Sequence, residues 1–278
     1  MVKHKMSPAI FTEFRDFIYE LCGISFADTK VYLLEDRLSR RLEEKNISSY
    51  EEYLYFLKYD PGKATELKNL YNSITTNETS FYRDLPQLTA FMEGVLPLAL
   101  ENKKPTDKKL RIWSAGCSTG EEPYTLAMML MESGLMLKGW TIEILASDIS
   151  DRVLRSSRSA VYGDYSIRNT PENVLRKYFT RAADGYHVNP EVRSLIRFMN
   201  INLFDSLQVR SAMNIDVIFC RNVIIYFDDD SKRKVIGHFS DRLVDNGILV
   251  LGFSETLINI TRAFKPKGVN KCVVYQKL

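Results

Sequence analysis

Ile112-Trp113-Ser114-Ala115-Gly116-Cys117-Ser118-Thr119-Gly120-Glu121-Glu122-Pro123-Tyr124 is the stretch whose reading decides the fold. From Leu110 to Ser114 the chain reads as a short strand, and two glycines among small residues then turn it. Pro123 suits the first turn of a helix that runs to about Ser133. A strand, a glycine loop and a helix in that order are where α/β proteins hold a cofactor. The Gly-x-x-x-Gly spacing of Gly116 and Gly120 is not the dinucleotide fingerprint. Glu121 and Glu122 at the helix start would also repel a pyrophosphate, and they suit a ligand with a positive group such as an amine. Taken alone, the loop is equally compatible with a purely structural turn.

Moving outward, Ile142 to Asp148 reads as the next strand, with an acid at its end. Asp148 there can accept both hydroxyls of a ribose. It could instead cap the helix that follows from Asp151 to about Ser159, a role Asp151 could also fill. Loop and acid together favour a nucleoside cofactor. Further strands are expected at Ile196 to Leu203, Ile215 to Cys220 and Ile248 to Gly252, with a helix from Ser231 to Val244 between the last two. Strands alternating with helices predict a mostly parallel, doubly wound sheet. Lys271 to Lys277 reads as its final edge strand. The alternation breaks between Tyr162 and Arg197, where Asp184-Gly185 flanked by strand-like residues signals a hairpin. A small antiparallel β insertion is therefore expected at about 176–197.

Before the sheet, the pattern is helical. Ile10, Phe14, Phe17, Ile18 and Leu21 recur at three-to-four spacing up to a stop at Gly23. Helices are also predicted from Lys30 to Lys45, from Tyr50 to Leu57 behind the Ser48-Ser49 cap, and from Ala64 to Ile74. Such short helices are unstable singly and predict a small bundle. The organisation expected is a helical domain over 1–75, a linker and domain start over 76–108, and an α/β domain over 109–278.

Composition excludes several function classes. In 278 residues the net charge is +3, too small for a nucleic-acid binder. The start, Met1 to Pro8, has no apolar core of signal-peptide length, and no apolar run is long enough to span a membrane. Cys22, Cys117, Cys220 and Cys272 form no Cys-x-x-Cys pair and read as reduced thiols of a cytoplasmic protein. None of the three histidines has metal-ligand spacing, so no metal is expected.

Three blocks resemble one family. Thr76-Asn77-Glu78-Thr79-Ser80-Phe81-Tyr82-Arg83, the loop quoted above, and Phe219-Cys220-Arg221-Asn222-Val223-Ile224-Ile225-Tyr226-Phe227 resemble, in order, the signatures of CheR-type chemotaxis receptor methyltransferases. Tyr82 stands where that family has a second Phe. Gly252-Phe253-Ser254-Glu255 stands where it often has Gly-His-Ser-Glu, so no role for that His transfers. The resemblance implies a Rossmann-like class I methyltransferase fold. S-adenosylmethionine would be the donor, S-adenosylhomocysteine the product, and glutamate carboxylates of methyl-accepting chemotaxis receptors the acceptors. The partner would be the receptor's cytoplasmic helical bundle, met by a monomer without membrane insertion. The same motifs would serve a same-fold methyltransferase with another acceptor, or a non-catalytic S-adenosylmethionine-binding module; intact Arg83 and Tyr226 argue against the latter.

Carried over residue by residue, the resemblance puts Asn77, Thr79, Arg83, Gly116, Glu121, Glu122, Asp148, Asn202, Leu203, Arg221 and Asn222 at the donor. Glu122, with Glu121 beside it, would meet the methionine amine. Arg83 would also hold the acceptor carboxylate, and Tyr226 would place its hydroxyl by the transferred methyl group. These two are the expected catalytic residues. On the helix from Lys30, Arg37, Arg40 and Arg41 share an arc of about 100° with Lys30, beside the apolar stripe. An isolated helix of this kind is ordinarily a solvated face. The resemblance makes the three arginines candidates for recognising an acidic receptor bundle.

Overall fold

The computed structural model of the protein describes residues 5–104 and 106–278. Half of the opening segment read for an export signal, residues 1–4, lies outside them. Four helices come first: α1 (Pro8–Cys22), α2 (Val31–Lys45), α3 (Tyr50–Tyr59) and α4 (Lys63–Ile74). Ser7 caps α1 by accepting the Ile10 N–H, and Ser49 caps α3 by accepting that of Glu52. The Glu52 carboxylate reaches back to the Ser48 N–H, so the entry to α3 is fixed from both sides. Phe14, Ile18, Leu34, Leu38, Leu42, Tyr53 and Leu70 are fully buried between the helices. Each such side chain contributes roughly 1.5–3 kcal/mol, which holds the bundle together.

The bundle also buries a charge, and this corrects the expected basic arc. Glu66 on α4 has no solvent exposure; Arg41 Nε and Nη2 donate to its two oxygens at 2.8 Å each. Tyr53 and Asn69 donate to the same carboxylate at 2.8 and 3.2 Å. Arg41 is thus turned inward, because an unpaired buried carboxylate would cost several kcal/mol. Arg37 is half-buried and donates to the Ile74 carbonyl and, at 2.7 Å, to Thr76 Oγ1. Arg40 alone of the three remains on the exposed face, its side chain 81% accessible beside Glu44.

The α/β domain has seven strands in one sheet: β1 (Lys109–Ala115), β2 (Thr141–Asp148), β6 (Ile196–Asn200), β7 (Ile215–Cys220), β8 (Leu243–Leu251), β9 (Phe264–Val269) and β10 (Cys272–Lys277). Their order is β6-β2-β1-β7-β8-β10-β9. The first five are parallel, and β10 runs antiparallel to both neighbours. This is the mostly parallel Rossmann-like sheet expected from the alternation. The chain winds from β1 to β2 and β6 on one side, then returns to β7 on the other. That reversal opens a crevice above the carboxyl end of β1. The last strand, read as the edge, is not the edge. β9 covers it, and the sequence reading missed β9 because Pro266 and Gly268 interrupt it. Both are tolerated on an edge strand.

Helices α7 (Glu121–Glu132) and α8 (Asp151–Ser159), with the later helix Asp229–Arg242, cover the sheet. The stretch expected to be a linker also carries helix, α5 (Leu85–Ala90) and α6 (Leu96–Glu101), joined by one π-helical turn. Leu88, Phe91, Val95 and Leu96 of this rod pack into the main core. The insertion is three-stranded: β3 (Val161–Tyr162) joins the hairpin of β4 (Phe179–Ala182) and β5 (Gly185–Val188), in the order β3-β5-β4.

The helical domain is fastened across the crevice largely through main-chain groups of residues 21–25. Ser25 N–H donates to the Tyr226 carbonyl at 3.0 Å, and Ile24 bridges Phe227 in antiparallel fashion. Asn202 Nδ2 donates to the Leu21 carbonyl at 2.7 Å. Gly23 ends α1 with φ +72°, and a Cβ there would stand 2.6 Å from the Phe204 ring, so glycine permits both the turn and the close approach.

Candidate functional site

One cleft lies over the end of β1, and three separate stretches of sequence wall it. The glycine loop forms its floor. Gly116 and Cys117 N–H groups both donate to the Ser147 carbonyl, at 2.8 and 2.9 Å, which curls the loop onto the end of β2. Gly116 adopts φ +78°, and a Cβ there would meet Val223 at 2.4 Å, so no larger residue fits between loop and opposite wall. Asp148, buried at the end of β2, accepts the Ser118 N–H on one oxygen and the Ser150 N–H on the other, both at 2.9 Å. Burial raises its carboxyl pKa, and these N–H bonds oppose the rise. A carboxylate offers about four acceptor positions. Asp148 therefore both pins the loop and keeps capacity for hydroxyl donors in the cleft.

The two adjacent glutamates part company. Glu122 lines the cleft, accepting from Ser114 Oγ at 2.7 Å and from Arg221 Nη1 at 3.1 Å. Glu121 does not. It turns into the protein, where Thr119 and Ser166 hydroxyls donate to it at 2.6 and 2.9 Å. Successive helical side chains diverge by about 100°, so two neighbours do not share one wall. Glu121 is accordingly a tie between α7 and the segment that carries Ser166, and its expected place at the donor is corrected. Burial raises its pKa too.

The opposite wall is the 221–227 segment. Arg221, nearly inaccessible, donates from Nε to Gln87 Oε1 at 2.7 Å and from Nη2 to the Arg83 carbonyl at 3.0 Å, besides its contact with Glu122. It welds α5, the 76–83 segment and α7 into one frame. Asn222 takes φ +59°. Glu255, which the sequence reading quoted but gave no role, explains how that turn is held. Its carboxylate accepts N–H groups of Gly252, Asn222, Val223 and Ile225 at 2.7, 2.9, 2.9 and 3.2 Å. Charge-assisted bonds of this number make the wall rigid.

The third wall is the 74–83 segment. Asn77, Thr79 and Arg83 line the cleft, as do Asn202, Leu203, Asn222 and Tyr226. The Asn77 carbonyl accepts from Ser118 Oγ at 3.0 Å, which ties this wall to the floor. The Asn202 side chain is committed to Leu21 and to the Phe204 N–H. Arg83 donates from Nη1 to the Glu78 carbonyl at 2.7 Å. Among the described residues its other N–H groups, and the Tyr226 hydroxyl, have no hydrogen-bond partner. From the helical domain Cys22 and Ile24 also reach the lining. No sequence motif marked them, because they arrive through the domain joint. The Cys22 thiol is pushed up to about 12 by burial, and Cys117 is raised by the same cause, so neither is a nucleophile.

The donor set suits S-adenosylmethionine. Asp148 and Glu122 offer acceptors for ribose hydroxyls and for an ammonium, and the loop lets a ligand approach the backbone.

Comparison with known proteins agrees with this reading. Residues 77–273 match the model of the CheR methyltransferase SAM binding domain, and residues 9–75 that of the CheR methyltransferase all-alpha domain. The chain is 37% identical to chemotaxis protein methyltransferase 2 of Vibrio cholerae, across 96% of this chain and 92% of that one. It is 35% identical to the chemotaxis protein methyltransferase of Borreliella burgdorferi, across 86% and 85%. With chemotaxis protein methyltransferase 1 of Pseudomonas aeruginosa the identity is 32%, across 96% and 97%.

Proposed function

Since the chain belongs to the CheR methyltransferase family, we propose that it esterifies glutamate side chains of chemoreceptors, using S-adenosylmethionine. When bound, that donor supplies a methyl group on a positively charged sulfur, with a neutral thioether as leaving group. The acceptor carboxylate is ionised at neutral pH and has no proton to lose, so the protein needs no general base. Its work is to hold two partners in line and to exclude water.

The residues divide that work. Asp148 takes the ribose hydroxyls and Glu122 the ammonium, with Asn77, Thr79, Gly116, Asn202, Leu203, Arg221 and Asn222 enclosing the rest. Arg83 orients the incoming carboxylate through its free N–H groups, since a guanidinium fork matches that geometry. The hydroxyl of Tyr226, which lines the same cleft, polarises the site of transfer. The observation that carries this reading is the coincidence of unpartnered donors, on Arg83 and Tyr226, with acidic acceptors in one cleft. Arg40, exposed on α2, and Arg37 at the cleft's edge steer an acidic helical bundle towards it. The protein works as a monomer in the cytoplasm, on the cytoplasmic portion of methyl-accepting chemotaxis receptors.

Incubation with methyl-labelled donor and bacterial membranes tests the reading. Label on a receptor band that mild base releases as methanol supports it. Label that survives base, or appears on no receptor, removes it.

A further inference from the structure

The segments beside Tyr226 carry two exposed apolar side chains, Phe253 and Ile225. β7 and β8 are parallel neighbours that end with Cys220 opposite Leu251, so the segments that follow them lie side by side. A Cβ on Gly252 would stand 3.0 Å from Asn222 N and 3.2 Å from Asn222 Nδ2, which places the 252 turn directly against the cleft wall. Glu255 then fastens the two segments through its four N–H bonds. On this stapled rim two large apolar side chains face solvent: Phe253 is 87% exposed and Ile225 48%. Phe253 also occupies the position where the resembling family often carries a His.

A single exposed apolar residue needs no explanation, but two on adjoining segments of a rigid rim at a cleft mouth form a surface. We propose that Phe253, with Ile225, is a specificity-determining contact. It receives an aliphatic side chain of the acceptor protein, one helical turn from the glutamate to be methylated. The occupant follows from continuity with the cleft. A glutamate that reaches Tyr226 brings its own backbone across this rim, and on a helix the residues three or four positions away share its face. The proposal rests on the functional reading above and adds what surrounds the acceptor glutamate.

The test is steady-state methylation of a chemoreceptor cytoplasmic fragment by wild type, Phe253→Ala, Phe253→Asp and Phe253→Leu, with S-adenosylhomocysteine affinity measured alongside. Ala and Asp are expected to raise KM for the fragment about 5- to 10-fold, the loss typical of a central apolar contact. They are expected to leave kcat and S-adenosylhomocysteine affinity within about twofold, and Leu should restore most of the KM. Changing the aliphatic residue one turn from the glutamate to Ser should raise KM in wild type, with no added effect in Phe253→Ala. Normal KM in both Ala and Asp variants overturns the contact while leaving the methyltransferase reading intact. No ester formed by the wild-type protein removes both.

Discussion

Replacing Arg41 by Ala tests whether α2 is held by its buried ion pair or presents a free basic face. The substitution leaves Glu66 with the Tyr53 hydroxyl, the Asn69 amide and Lys45 Nζ at 3.5 Å. Removing one partner of a buried pair costs about 3–5 kcal/mol. Three surviving donors put this case at the lower end, about 3 kcal/mol. For a cooperative unit of this size each kcal/mol lowers Tm by about 2–4 °C, so Arg41→Ala is expected to melt about 6–12 °C below wild type. Arg40 faces only Glu44, an exposed i,i+4 pair worth about 0.3–0.5 kcal/mol, and Arg40→Ala should melt within about 2 °C of wild type. Replacing both Arg41 and Glu66 by Met should recover part of the loss, since no unpaired charge then remains. Circular dichroism melts of the four proteins decide it. Equal melting temperatures for Arg41→Ala and Arg40→Ala would refute the reasoning. For the same reason, reversing all three arginines would report on folding, whereas Arg40→Glu alone isolates receptor recognition.

Asp148→Ala should weaken S-adenosylmethionine binding by about 1–3 kcal/mol, the range for lost hydrogen bonds to a charged group, and should also lower Tm, because Ser118 and Ser150 lose their acceptor. Calorimetry and melting together check it; unchanged affinity would take Asp148 out of the site. Tyr226→Phe is expected to cut kcat by at least about tenfold with donor affinity within about twofold, if its hydroxyl acts on the reacting groups. Full turnover would displace the acceptor pocket. Glu121→Gln keeps an acceptor for Thr119 and Ser166 but cannot ionise. Because burial raises the Glu121 pKa, the folded protein binds this proton more tightly than the unfolded chain, and wild type loses stability as pH rises through that range. The variant's Tm relative to wild type should therefore climb from pH 4 to pH 8 in a buffer series; a fall would reverse the sign of the argument.

Much of the fold was legible because its signals are local. Ile215–Cys220 is apolar at every position but Asp216 and is closed by Arg221, and the strand has those bounds. Gly23, Ser49 and the Asp184-Gly185 pair mark ends and turns by their own chemistry. What escaped depends on neighbours far along the chain. Residues 85–101 are helical although Pro86 and Pro97 punctuate them: Pro86 falls in the first turn, where its missing N–H is no loss, and Pro97 comes just after the π-helical turn Phe91–Val95. The motif blocks, with the acid read at the end of the following strand, picked out Asn77, Glu122, Asp148 and Tyr226, which share one cleft. They could not separate Glu121 from Glu122, a matter of helical rotation. Nor could they find Glu255, whose partners are backbone N–H groups and leave no complementary residue type to search for. Arg41 was misjudged because the helical wheel of α2 carries no trace of Glu66 on another helix.

The joint between the helical domain and the sheet has a consequence for how such proteins diverge. Its bonds at Leu21, Ser25 and Tyr226 engage carbonyl and N–H groups that every residue type except proline supplies. Drift in side-chain identity at Leu21 and Ser25 therefore leaves these bonds in place, provided Gly23 keeps its turn beside Phe204 and Asn202 keeps its amide, and a helical domain with quite different surface chemistry can be carried on the same sheet. A one-residue insertion or deletion there would move Ser25 N–H off its acceptor and draw Cys22 and Ile24 away from the cleft. Length, more than composition, is what this seam constrains: away from Gly23 the helical domain can change its sequence but not its stride.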